Sequence, residues 1–199
     1  MKKIILLLIL TLSIILSGCS NKEDSAMAYL KEKYGEKFNY VGLGDTVWSS
    51  KSKFFIFTDD SGNEFTVEER GGSYSDDYGS IIYDREIQQK LSSVVPAESK
   101  LFASTEGCRR TYTNKDMSVE EYMKEAGIIN VVILTTESDN YKILTDSLIE
   151  FSSDLVISGV IYQVSDEMFN EVNSFTESQE NTHDIIACES FWIENNELD

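Results

Sequence analysis

Ile128-Ile129-Asn130-Val131-Val132-Ile133-Leu134-Thr135 is almost wholly apolar and rich in β-branched side chains. A run of that kind and length reads as a central strand buried on both faces, the pattern of a sheet with helices packed against it. Upstream, Ser118-Val119-Glu120-Glu121 has the capping-box spacing, and Gly127 supplies a stop, so a helix leads into the strand. Downstream, Asp139 can cap a helix that shows Tyr141, Leu144, Leu148 and Phe151 on one stripe, and Leu155 to Val164 is a second apolar strand. Two such strands joined through a helix are expected to lie parallel, with a right-handed crossover. Ser165 or Asp166 opens a short helix with Phe169, Val172 and Phe175, Glu177 to Thr182 is a polar loop, and Ile185 to Ile193 is a last strand. With a first strand starting at Leu101 to Ala103 and running on past Cys108, residues 96–199 read as a βαβαβαβ unit with a mixed sheet.

The first half has another rhythm. Asp24 or Ser25 can cap a helix over Ala26 to Tyr34, with Met27, Leu30 and Tyr34 on one stripe and Gly35 beyond. Phe38 to Trp48 is a loose strand interrupted by Gly42 and Gly44, Phe54 to Thr58 is continuous and apolar, and Glu64 to Glu68 alternates as a half-buried strand does. Asp59-Asp60-Ser61-Gly62-Asn63 joins the last two at hairpin spacing. Gly71 to Asp77 is a polar loop, after which Tyr83, Ile87, Leu91 and Val94 form a helical stripe supported by a Glu86–Lys90 pair and stopped by Pro96, the one proline. Residues 24–95 are therefore expected to form a helix, a three-strand antiparallel sheet and a second helix. The chain as a whole reads as α+β with two small domains meeting near Pro96; one continuous sheet is the alternative.

Ahead of these domains, two lysines precede an apolar run from Ile4 to Leu16 that ends in Leu16-Ser17-Gly18-Cys19. A positive start, a short apolar stretch and small residues at its end make a secretory signal, too short for the ~20 residues that a membrane-crossing helix needs. Without residues 1–18 the chain keeps 15 basic and 35 acidic side chains over 181 residues, a net charge of −20. Nucleic-acid binding draws on Lys and Arg and is improbable on such a background, and the protein surface is equally unsuited to anionic lipid. Residues 19–23 are left as a tether.

The inventory for chemistry is thin. His183 is the single histidine, in a polar loop; there is no GxSxG elbow and no HExxH pair, and the ligands of a zinc site are lacking. No cofactor or metal is expected. Asp59 to Glu64 has the look of a calcium loop but lacks the alternating oxygen ligands and distant glutamate, so a hairpin turn explains it better. Gly42-x-Gly44 lacks a third glycine and a following helix. Arg109-Arg110 is the one paired basic cluster after the signal and reads as an internal ion-pair partner. Cys108 and Cys188 are either a disulfide, which exported chains favour, or two buried thiols. Trp48, Tyr74, Asp76, Asp77 and Tyr78 make the best candidate for a recognition surface, since Tyr and Trp give contact area at low entropy cost; edge aromatics over a small core explain the same residues.

Leu16-Ser17-Gly18-Cys19 resembles the lipobox of bacterial lipoproteins, in which the cysteine is joined to diacylglycerol and becomes the first residue of the mature chain. Tyr29 to Phe38, the aromatic strands and the Asp77-Tyr78 loop make residues 1–95 similar to small uncharacterised lipoproteins of Gram-positive gut bacteria. The resemblance implies a lipid anchor on Cys19 at the outer face of the cytoplasmic membrane and carries no activity with it. A non-enzymatic envelope protein that binds a protein partner or ligand is the expectation. A carboxylate-dependent cell-wall hydrolase and a small solute receptor of a transport system are the alternatives.

Overall fold

The computed structural model describes residues 22–44, 51–109, 114–137, 141–180 and 184–198. The chain divides between Tyr74 and Ser75 into two compact units.

The first unit opens with helix α1 (Lys22–Tyr34). Its buried side chains, Ala26, Leu30 and Tyr34, recur at four-residue spacing, while Met27 lies beside that stripe and is 39% exposed. The helix thus begins within the stretch expected to be tether. Strands β1 (Asn39–Leu43), β2 (Ser52–Thr58), β3 (Glu64–Arg70) and β4 (Ser73–Asp76) form a sheet in that order. β2 pairs antiparallel with β1 and with β3, and the alternation read in β3 is real: Phe65, Val67 and Glu69 face inward, Glu64, Thr66 and Glu68 outward. The core is aromatic. Phe38 meets Phe65 edge-on at 5.1 Å between ring centres, and Phe57 stacks with Phe65 at 6.0 Å. The inward Glu69 takes hydrogen bonds from Lys22 Nζ and the Gly72 backbone N–H, both at 3.0 Å, and these bonds hold its carboxyl below the usual carboxylate range.

The β2–β3 hairpin closes as its turn residues require. Asp59 Oδ1 accepts the backbone N–H groups of Ser61 and Asn63 at 2.9 and 2.8 Å, and Gly62 takes a positive φ of 86°. The carboxylate is committed to its own turn. β4 occupies the segment expected as a loop; Ser73, Tyr74, Ser75 and Asp76 carry no apolar alternation, so the sequence gives no sign of the pairing that makes them a strand.

The second unit is helix α2 (Tyr78–Ser92), β5 (Lys100–Ser104), α3 (Val119–Ala126), β6 (Ile129–Thr135), α4 (Tyr141–Phe151), β7 (Val156–Val164), α5 (Asp166–Glu171), α6 (Phe175–Glu180), β8 (Ile185–Glu194) and β9 (Glu197–Leu198). Its sheet has the order β5-β6-β7-β8-β9, with β6 and β7 parallel and the other pairs antiparallel. β6 is an interior strand between β5 and β7 and is buried on both sides, as its apolar run requires. Ile129, Val131 and Ile133 join a cluster with α2, α3 and α4; Val132 and Leu134 join a second one with Phe102, Val164, Met168 and Val172. Each fully buried Leu or Ile contributes about 1.5–3 kcal/mol.

Helix α2 corrects the expected boundary. Its Tyr83, Ile87 and Leu91 pack in one cluster with Leu101 and Ala103 of β5, so it belongs to the second sheet, and Pro96 marks only the turn between α2 and β5. Lys90 bonds Glu120 of α3 at 2.6 Å, not the Glu86 partner that helical spacing offered. The polar stretch after Phe175 is partly helical as α6, and β9 adds a fifth strand that the sequence did not announce.

The capping box at α3 is complete: Ser118 Oγ accepts the Glu121 N–H at 3.2 Å, and Glu121 Oε2 accepts the Ser118 N–H at 2.8 Å. Ser118→Ala is expected to cost about 1 kcal/mol in urea unfolding. A change within experimental error would show that this cap adds nothing to the helix.

Candidate functional site

Four of the residues offered by the sequence for recognition are described, and three of them are not surface. Asp76, Asp77 and Tyr78 are 1%, 5% and 7% exposed. They lie at the start of α2. Asp76 Oδ1 accepts the Tyr78 N–H at 3.1 Å, and the Asp77 carbonyl accepts the Ser80 N–H at 3.0 Å and the Ser80 hydroxyl at 2.8 Å. The Asp77 carboxylate faces Arg109 at 3.8 Å, so Arg109 is the internal ion-pair partner that its acidic surroundings implied. Tyr74 is half-buried on β4, its ring stacked on Tyr29 of α1 at 5.5 Å. Trp48, Cys19, Arg110, His183 and the Asp139 cap lie outside the described residues.

Cys108 and Cys188 are not joined by a disulfide. Cys108 packs against the α2–α3–α4 side of the second sheet and donates its thiol to the Ile128 carbonyl at 3.3 Å. Cys188 stands on β8 opposite Tyr162, whose ring belongs to the cluster on the other side. The sheet itself separates them, and Cα atoms must come within about 7 Å to be bridged.

The polar cluster that the structure does assemble was not among the sequence candidates. Asp84 of α2 sits against the end of β5, where its carboxylate accepts four contacts. They come from the Ser104 hydroxyl at 3.1 Å, the Thr105 hydroxyl at 2.5 Å and the Thr105 N–H at 3.1 and 3.0 Å. Thr105 Oγ1 lies 2.7 Å from the Tyr122 hydroxyl. Since the Thr105 proton goes to Asp84, Tyr122 is the donor in that pair, and a chain runs Tyr122 to Thr105 to Asp84. Burial pushes the Asp84 carboxyl up, against the hydrogen bonds that favour its charged form, and burial also pushes the Tyr122 phenol up. The Tyr122 ring stacks on Tyr83 at 4.4 Å, and Tyr83 donates its hydroxyl to the Asn114 carbonyl at 2.7 Å.

Chemically this is a carboxyl that accepts hydrogen bonds at the end of a hydroxyl chain, spanning α2, the turn after β5, and α3. Two open hollows flank the same elements. One, of about 580 Å³, is lined by Arg85, Gln88, Gln89, Ser92 and Ser93; the other, of about 500 Å³, lies by Asn114, Asp116, Met117, Glu121, Lys124 and Glu125. Neither is lined by Asp84, Thr105 or Tyr122, so the chain acts first as a tie between elements. Glu121 in the second hollow is committed to the α3 cap. Among the described residues, no group of three or more His, Cys, Asp or Glu is placed to hold a metal ion.

Fold and cluster together define an α+β protein of two sheet-based units, the second carrying a partly buried carboxyl–hydroxyl network. No family model matches the chain, and no curated protein does. Among solved structures it is similar to the crystal structure of a DUF5037 family protein from Ruminococcus gnavus ATCC 29149. The TM-score is 0.43 and the identity 14%, over 87% of this chain and 92% of that one.

Proposed function

We propose that the chain is an extracytoplasmic lipoprotein, held at the outer face of the cytoplasmic membrane by lipid on Cys19. Its acidic, folded part serves there as a non-enzymatic binding module for a protein partner or ligand. The observation that carries this reading is Leu16-Ser17-Gly18-Cys19 at the end of an apolar run that follows Lys2 and Lys3. Physical chemistry supports the anchor: each buried CH₂ contributes about 0.8 kcal/mol, so one acyl chain binds marginally and two or three hold firmly. A net charge of −20 on the remaining residues repels anionic head groups and leaves the lipid to do the holding. The first helix starts at Lys22, three residues after Cys19, so the folded part would sit close to the bilayer.

The test is metabolic labelling with a radioactive fatty acid, with fractionation, of wild type and Cys19→Ala. Wild type is expected to carry label and to sediment with membranes. The variant is expected to lose the label and either pass into the medium or remain unprocessed. A Cys19→Ala protein still membrane-bound at the mature mass would overturn the reading.

A further inference from the structure

β8 is paired with β7 along its whole length, from Val156 opposite Glu194 to Val164 opposite Ile185. On its other side β9 covers only Ile193 and Glu194. From Ile185 to Trp192 no strand lies on that outer side among the described residues, and Ile186, at 64%, leads a stretch in which Cys188, Glu189 and Ser190 are also exposed.

The hairpin fixes which backbone groups point out. Asn195 and Asn196 both have positive φ, 55° and 63°, the geometry of a two-residue type I′ loop. In such a hairpin the flanking pair, here Glu194 and Glu197, is the hydrogen-bonded one, so Glu194 turns its N–H and C=O toward β9. Alternation along the strand turns those of Trp192, Ser190 and Cys188 the same way. Three residues therefore offer a row of donors and acceptors with no strand among the described residues to receive them. Edge strands are ordinarily blunted by charged side chains, Pro or a bulge. The charges on β8 are both acidic, Glu189 and Glu194, which oppose a second acidic copy and not a cationic strand. β8 has neither Lys nor Pro, and its one irregularity lies at its start, beside Ile186.

The surrounding charge selects what can pair there. Residues 143–199 contain 13 Asp and Glu and no Lys or Arg. Asp184, Glu189, Glu194 and Glu197, all exposed, surround the edge. A second copy would bring the same charges face to face, whereas a cationic chain would meet opposite charge. We propose that the outer edge of β8 takes up an extended cationic polypeptide segment as an added strand. Backbone bonds to Cys188, Ser190 and Trp192 give affinity, and basic side chains on the Glu189 face give selectivity. This names a place and a partner chemistry for the binding role proposed above and rests on that role.

The experiment is a fluorescence-anisotropy titration of the full chain in detergent with a capped peptide of alternating Lys and Val, paired with amide-exchange mapping. Binding is expected to weaken steeply with salt, and exchange to slow at Cys188, Ser190 and Trp192. A peptide with Pro in place of Val keeps the charge and cannot form the ladder; it is expected to bind about tenfold more weakly or worse. Ser190→Pro removes an outward N–H and leaves the β7 side intact, and is expected to weaken binding of the Lys-Val peptide by about tenfold or more. Equal affinity for the two peptides, no binding, or a dimer that protects β8 without peptide would each overturn the proposal. If Ser190→Pro alters the circular dichroism spectrum, the wild-type exchange map decides, and protection away from residues 188–192 overturns it. No membrane enters the titration, so its failure is distinguishable from failure of the lipid-labelling test.

Discussion

Gly159→Ala is expected to destabilise the second unit by about 2–3 kcal/mol in urea unfolding followed by tryptophan fluorescence. Gly159 lies in β7 between Val131 of β6 and Phe191 of β8. A Cβ at 159 would stand 2.5 Å from Phe191 Cζ, 2.9 Å from Phe191 Cε1 and 2.7 Å from the Val131 carbonyl oxygen. The ring is buried in the main cluster and has little room to swing, and the carbonyl belongs to β6, an interior strand paired on both sides. Alanine recovers about 0.5–1 kcal/mol of the backbone entropy that glycine costs, which offsets only part of the clash. Repeating the substitution in a Phe191→Leu background separates the two contacts: part of the penalty should vanish with the ring, and the part owed to the carbonyl should remain. A Gly159→Ala protein as stable as wild type would show that β7 and β8 can separate slightly at no cost.

Asp84 is expected to give the second large effect, with a pH signature. Asp84→Ala leaves the Thr105 N–H and the two-hydroxyl chain without their acceptor and should cost about 2–4 kcal/mol. Asp84→Asn keeps one acceptor oxygen and should cost less. Because burial raises the folded-state value of Asp84 above its unfolded one, the folded protein holds this proton more tightly. Its contribution is fully present below the unfolded value of about 3.9 and is lost as pH rises through the raised folded value. Other groups titrate alike in both proteins, so the stability of wild type minus that of Asp84→Asn isolates this one. That difference should move in favour of wild type on acidification from neutral pH towards the unfolded value. A flat difference over that range would show that the carboxyl is as comfortable ionised in its site as in water.

The parts of the fold visible in the sequence are those whose pattern is local. The continuous β-branched run at 128–135 suggests a strand covered on both sides, Ser118 to Glu121 fits a capping box, and Glu64 to Glu68 alternates. What escaped depends on partners distant in sequence. The stripe of Tyr83, Ile87 and Leu91 says that α2 has an apolar face without saying which sheet it covers, so Pro96 in the next turn looks like a boundary when it is not one. The cluster escaped for the same reason: Thr105 is 21 residues from Asp84 and 17 from Tyr122, and no spacing rule joins them. Asp76 and Asp77 misled in the opposite direction. Acidic residues beside tyrosine look exposed, but Asp76 accepts the Tyr78 N–H at the start of α2 and the Asp77 carboxylate faces Arg109, 32 residues on, which no local pattern announces.

The two cysteines on opposite sides of a sheet have a consequence for how the protein is made. Exported domains of modest size often depend on an oxidising compartment to close their staples. Here bridging Cys108 to Cys188 would require the strands between them to part, so the native state of the second unit asks nothing of thiol oxidants or isomerases. With both thiols free, the second unit is expected to melt at the same temperature with and without a reductant.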